Sequence, residues 1–283
     1  MRIMYLNLLT ALILSLAFSQ NNLSIHPESL REKNIRILTG SILLATEYIS
    51  GYSLAYKMWW PEGFRKINPF TNIGEKEPFF VDEVIHSIGN IVSQDIHYAI
   101  MKKYFHVQSP WPSMILTSVS WFSIEALDAM EKRNGWRFSI NDELGNLAGV
   151  AFWYYKYKHP NSPIYLRLGF RQWGNAVEYI KDLPFLFTDR DKYGRQHNHD
   201  KYAILKTELI YMFNQNVYAG IAVSRASKNS QENTWGITAG WDIINNMNLL
   251  ESKRYKVPFE FIRNNFTLNI SLTYWNDQSI TPI

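Results

Sequence analysis

The sequence changes its period once, and that change limits the possible folds more than any other feature. As far as His159-Pro160 the apolar residues recur mainly at three- and four-residue spacing, and beyond it they alternate with polar or small residues in short runs. A helix returns to one face every third or fourth residue and a strand every second one. The chain therefore predicts an α+β fold: a four-helix, bundle-like N-terminal half, then an antiparallel β half that forms a sheet or a partial or small barrel.

In the first half, Ile35, Leu38, Ile42, Ala45, Ile49, Leu54 and Met58 predict a helix from Asn34 to Trp60 with those residues inward, ended by Pro61 and Gly63. A second helix is expected from Phe80 to about Phe105, with Val84, Ile85, Ile88, Ile91, Val92, Ile96 and Ile100 inward, and a break falls at Ser109-Pro110-Trp111-Pro112. The third spans about Ser113 to Lys132. Ser139 reads as the N-cap of the fourth, with Asp142 and Glu143 in the first turn and the end near Lys156. In the second half, stretches at Tyr165 to Arg171, Leu205 to Tyr211, Val217 to Ser224, Thr234 to Trp241 and Phe266 to Tyr274 read as strands, five or six in all, with Ser227 to Asn233 a hairpin loop.

The N-terminus begins Met1-Arg2, continues as an apolar run from Leu6 to Phe18, and places Ala17 and Ser19 at the −3 and −1 positions before the polar Gln20-Asn21-Asn22. These are the parts of a secretory signal cleaved after Ser19. The expected organisation is a signal peptide over 1–19, a helical domain over 20–159 and an antiparallel β region over 160–283. Export places the protein in the periplasm or outer membrane of a Gram-negative bacterium. The absence of cysteine removes disulfides, thiolate catalysis and a lipid-modified N-terminal cysteine.

Composition bears on partners. Charged residues make up only 19% of the chain while aromatics reach 15%, and Tyr and Trp favour a boundary between apolar and wet surroundings. Outer-membrane lipid or an envelope protein is the expected partner. The formal charge of +4 is spread without a Lys/Arg run, so no nucleic acid is expected. For the β half, two arrangements stay open: a sheet with its apolar face on the helices, and a membrane-inserted barrel or half-barrel.

Chemistry-bearing residues gather at one end of the expected bundle. Asp82 and His86 lie at i,i+4 on the second helix, and Glu125 and Asp128 at i,i+3 on the third, so each pair shares a face. Asp142, Glu143 and Asn146 open the fourth helix, which an antiparallel bundle brings to the same end. Three readings fit. A divalent metal, the candidate cofactor, would take His86, Glu125, Asp128 and Asp142 as ligands. An acid/base site would pair His86 with Asp82 or another of these carboxylates. A buried hydrogen-bond network including Asn146 would fix helix register.

Several stretches together carry a resemblance: Trp59 to Phe64, Phe70 to Asn72, Val81 to His86, Ile124 to Asp128, and Trp136 to Gly149 with its Phe-Ser-x-x-Asp-x-x-x-Asn-x-x-Gly pattern. Over residues 55–155 the chain resembles the family catalogued as domain of unknown function 2279, described as predicted periplasmic or outer-membrane lipoproteins. More distantly it resembles the VanZ-like membrane proteins. The resemblance implies an envelope location and a shared set of positions at Asp82, His86, Glu125, Asp128, Asp142 and Asn146. Glu83 stands where the family usually has Lys, and Ala129 where it commonly has Gly.

Two histidines and an aspartate in Gln196-His197-Asn198-His199-Asp200 form a lesser chelating candidate, and no serine has a nucleophile-elbow context. Two functions follow from these readings. One is a structural or interaction protein at the outer membrane. The alternative is a hydrolase or transferase acting on envelope lipid or glycan through His86 and the clustered carboxylates.

Overall fold

The computed structural model describes residues 28–58, 60, 63–66, 68–71, 73–74, 81–132, 137–171, 205–214, 216–225, 233–242, 269–276 and 280–282. The fold is α+β, with four helices followed by an antiparallel sheet. The helices are α1 (Leu30–Met58), α2 (Val81–Tyr104), α3 (Trp111–Met130) and α4 (Ile140–Lys158). The strands are β1 (Ile164–Phe170), β2 (Leu205–Met212), β3 (Val217–Arg225), β4 (Asn233–Asp242), β5 (Asn269–Trp275) and β6 (Ile280–Pro282). The chain divides into two compact units, Met1–Lys76 with Gly89–Tyr154, and Glu77–Ile88 with Tyr155–Ile283. The first division falls inside α2, which runs through it unbroken.

Helix α1 starts ahead of the expected Asn34 because Ser29 and Glu32 form a capping box. The Ser29 hydroxyl accepts from the Glu32 backbone N–H at 3.2 Å, and the Glu32 carboxylate accepts from the Ser29 backbone N–H at 2.9 Å. The buried face of α1 is also not the expected one. Ile35 and Leu38 are 54% and 60% exposed, and Ile42 and Ile49 are likewise exposed, whereas Gly40, Leu44, Tyr48 and Tyr52 are buried. Gly40 decides this rotation: a Cβ there would lie 2.5 Å from the Tyr104 Cβ, so only glycine lets the end of α2 come this close. Leu44, Tyr48, Tyr52, Trp60, Met101, Phe105, Val107, Leu116 and Leu127 form the apolar core of this unit.

Beside that core runs a seam of polar contacts. The fully buried residues of α2 include Ser87, Asn90, Gln94 and His97, while the isoleucines expected to face inward are only partly buried. Gln94 donates to Ser113 at 2.7 Å and accepts from Thr117 at 2.6 Å, and His97 Nδ1 lies 2.7 Å from the Thr117 hydroxyl. The Tyr48 hydroxyl meets Ser120 at 2.5 Å, and Tyr52 bonds Ser123. The expected inward faces of α1 and α2 are therefore corrected. Periodicity groups residues onto a face, but a Ser/Thr/Gln stripe that can satisfy its own hydrogen bonds took the interior.

Helix α3 has Pro112 in its first turn, where a missing N–H costs nothing. Helix α4 is capped as expected: the Ser139 hydroxyl accepts from the Asp142 N–H at 2.9 Å, and Lys156 and Lys158 occupy the last turn. Among the described residues no helix is long and apolar enough to cross a membrane.

The sheet is a meander in which every strand pairs antiparallel with its sequence neighbours, in the order β1 to β6. Five of its strands overlap the alternating stretches, and the short β6 adds one that alternation did not signal. Within the described residues the sheet is open, β1 and β6 being its edges. It is also curled. Lys206 on β2 reaches Ser271 and Thr273 on β5 at 3.2 and 2.9 Å, and Arg167 on β1 reaches Asp242 on β4 at 2.7 Å. In a flat sheet, strands three places apart are roughly 14 Å from one another, too far for these contacts, so the face carrying them is concave. Gly220 lies on that face. A Cβ there would stand 2.2 Å from the Leu209 carbonyl, so the bend needs glycine at this point.

Candidate functional site

Contacts within the bundle set the site's geometry turn by turn. Asn90 on α2 donates to Asn146 on α4 at 2.6 Å, and higher up Trp153 donates to Asp95 at 2.5 Å, so α2 and α4 run parallel and in register. One turn back from Asn90 is His86, and one turn back from Asn146 is Asp142. Helix α3 runs antiparallel to α2, with Trp121 donating to Ser93 at 3.1 Å. Continuing toward the start of α2 therefore meets the α3 turn that holds Glu125 and Asp128.

His86, Glu125 and Asp142 come together at this level. One ligand atom from each lies within 4.8 Å of the other two. Glu125 is 1% exposed, and His86 and Asp142 are partly buried. Asp142 sits on the first turn that Ser139 caps, which fixes its backbone. Tetrahedral coordination with bonds near 2.1 Å separates ligand atoms by roughly 3.4 Å, so small rotamer changes would close these three around an ion. One imidazole and two carboxylates supply a nitrogen–oxygen set with two negative charges, matched to zinc, manganese or iron in the divalent state. Three protein ligands also leave a position open for water or substrate.

The other expected members are placed differently. Asp128 turns to Trp60, whose indole N–H it accepts, so it stands outside the triad. An i,i+3 partner shares a helix face only approximately, and the buried Trp60 draws Asp128 away to satisfy its indole N–H. Asn146 lies one turn beyond Asp142, accepting from Asn90 and donating to Glu143 at 3.2 Å. Asp82 belongs to the first turn of α2, and its side chain lies outside the described residues, as does the stretch from Gln196 to Asp200.

No family model, curated protein or solved structure matches this chain.

Sequence reasoning missed a second polar group in the bundle. His97 is buried, bonds Thr117 through Nδ1, faces Glu47 through Nε2 at 3.1 Å and stacks on Tyr48 with ring centroids 5.6 Å apart. Burial holds the Tyr48 phenol well above its ordinary range, so it stays a neutral donor or acceptor beside them. Glu47 and His97 are far apart in sequence and share no motif. Their one signal was negative: neither belongs to the aliphatic stripe of its helix.

Proposed function

We propose that this chain is an exported protein of the Gram-negative envelope, placed at the outer membrane, whose helical bundle binds a divalent metal ion at His86, Glu125 and Asp142 for hydrolysis or group transfer on an envelope lipid or glycan. Export is supported by the basic start, short apolar run and small residues before Gln20. The observation that carries the metal reading is the convergence of three ligand atoms from three helices to within 4.8 Å. An ion bound there would polarise a substrate oxygen and lower the pKa of a water molecule. Glu125, closed off from solvent, would anchor it, and the partly exposed His86 and Asp142 would mark the side from which substrate arrives.

A structural or interaction role is the second reading, and one observation favours it. The polar seam continues above the triad through Asn90–Asn146 and Gln94–Thr117, where side chains bond one another directly. Metal-dependent thermal stability separates the two. The metal reading predicts that zinc or manganese at a hundred times its dissociation constant stabilises the mature protein by about 2.7 kcal/mol, and that Glu125→Gln and His86→Ala abolish this gain while the protein stays folded. No stabilisation by either ion, with an apolar replacement of all three residues tolerated, would favour the structural role.

A further inference from the structure

The sheet is patterned inside out. On its concave face stand every described charged residue of β1, β2 and β4, and they are buried: Lys206, 1% exposed, pairs with Glu208 at 2.7 Å, and Arg167 pairs with Asp242 at 2.7 Å. Thr238 donates to Glu208 at 2.8 Å and meets Thr273 at 3.1 Å, joining these groups into a continuous polar interior. Beyond its Leu205–Thr207–Val223 end, which is buried, the convex face is the reverse. One cross-strand row reads Leu209, Ile221, Ile237 and Tyr274, the next Tyr211, Ala219, Ala239 and Leu272, with no charged residue in either. Ile237 is 69% exposed, and Leu209, Ile221, Leu272 and Tyr274 are exposed with it.

A sheet in water does the opposite, keeping its apolar face dry and its charges wet. A polar interior with an apolar outer surface lowers free energy where the outer surface is kept from water, as it is in hydrocarbon. The aromatic residues agree. Trp235 lies toward one end of the convex face and Trp241 and Phe213 toward the other, with aliphatic side chains between, as in the aromatic girdles of membrane strands. Strands β3 and β4 are 9 and 10 residues long, the length that crosses a bilayer when tilted. We infer that the convex face of this sheet is immersed in the acyl chains of a lipid bilayer. The inference deepens the membrane placement proposed above but rests on the sheet alone, so failure of the metal reading leaves it standing.

The chain has no cysteine, so single labels can be placed without removing native thiols. Full-length mature protein carrying Ile237→Cys or Leu209→Cys, each labelled with an environment-sensitive fluorophore, is reconstituted into phosphatidylethanolamine–phosphatidylglycerol vesicles containing a nitroxide near the bilayer centre. Asn214→Cys, in the exposed turn between β2 and β3, serves as the aqueous reference. Immersion predicts several-fold stronger lipid quenching at positions 237 and 209 than at 214, and protection of the first two from iodide. Three results would overturn the inference: iodide quenching at 237 and 209, protein that stays out of the vesicles as a monomer, or labels shielded from both quenchers in a particle of twice the mass, which would mean that a second copy covers the face.

Discussion

Lys156 gives a pH dependence with a definite sign. Its ammonium donates to the Ser162 carbonyl at 2.6 Å and lies 3.7 Å from the centre of the Tyr165 ring, and burial pushes its pKa down to about 8. An unfolded lysine titrates near about 10.4. Between those two values the unfolded chain holds a proton that the folded one has released, so stability rises as pH increases through this window. Tyr48, with its raised pKa, opposes the rise once unfolded tyrosine ionises near about 10. Denaturation midpoints should therefore increase from about pH 8 to about pH 10, and Lys156→Met should flatten the increase; an equal slope in both proteins would contradict the assignment. At Gln94 the expected effect is a loss. Gln94→Leu leaves Ser113 and Thr117 buried with fewer partners and should cost about 1–3 kcal/mol by thermal unfolding, whereas a solvated glutamine would cost almost nothing. Some of this residue-level detail could be read beforehand. Ser139 announced its cap because Asp142 and Glu143 follow it; the Ser29–Glu32 box has the same signature and lies just before the apolar pattern chosen as the helix start. Glu47 and His97 meet only through tertiary packing, which no local spacing encodes.

At the level of elements, the boundaries were more legible than the faces. The alternating runs located five strands because only an extended backbone turns successive side chains to opposite faces, and the Pro-rich break before α3 located a helix start. Which face is buried depends on what surrounds the element. In α1 the aliphatic stripe of Ile35, Leu38 and Ile42 is exposed and the Gly40–Leu44–Tyr48–Tyr52 stripe is buried; in the sheet, Leu209 and Ile237 point outward and Lys206 and Glu208 inward. A rule that assigns apolar residues to the interior assumes water outside, and both units depart from it. The buried ion pairs make this testable. Arg167→Met removes the ion-pair partner of Asp242 on the concave face and should cost about 3–5 kcal/mol, while Arg167→Met combined with Asp242→Leu should recover most of that loss. Urea unfolding in mild detergent reads both, and a double variant no better than the single one would mean that the pair is not the relevant contact.

For the molecule as a whole, the chain carries two separable proposals: a metal site on helices α2, α3 and α4 and a lipid-facing surface on the sheet. The grouping of His86, Glu125 and Asp142 was foreseeable from helix spacing and antiparallel topology, and the diversion of Asp128 to Trp60 was not, since it depends on where a loop tryptophan inserts. Metal binding by this triad is the proposal on which the functional reading turns. Its most direct test is the metal-to-protein ratio of mature protein equilibrated with zinc or manganese and freed of excess ion, compared with Glu125→Gln and Asp128→Asn. Binding at the triad predicts close to one ion per wild-type chain, close to none for Glu125→Gln, and an unchanged ratio for Asp128→Asn. A ratio near zero for the wild type, or one that Glu125→Gln leaves intact, would contradict it.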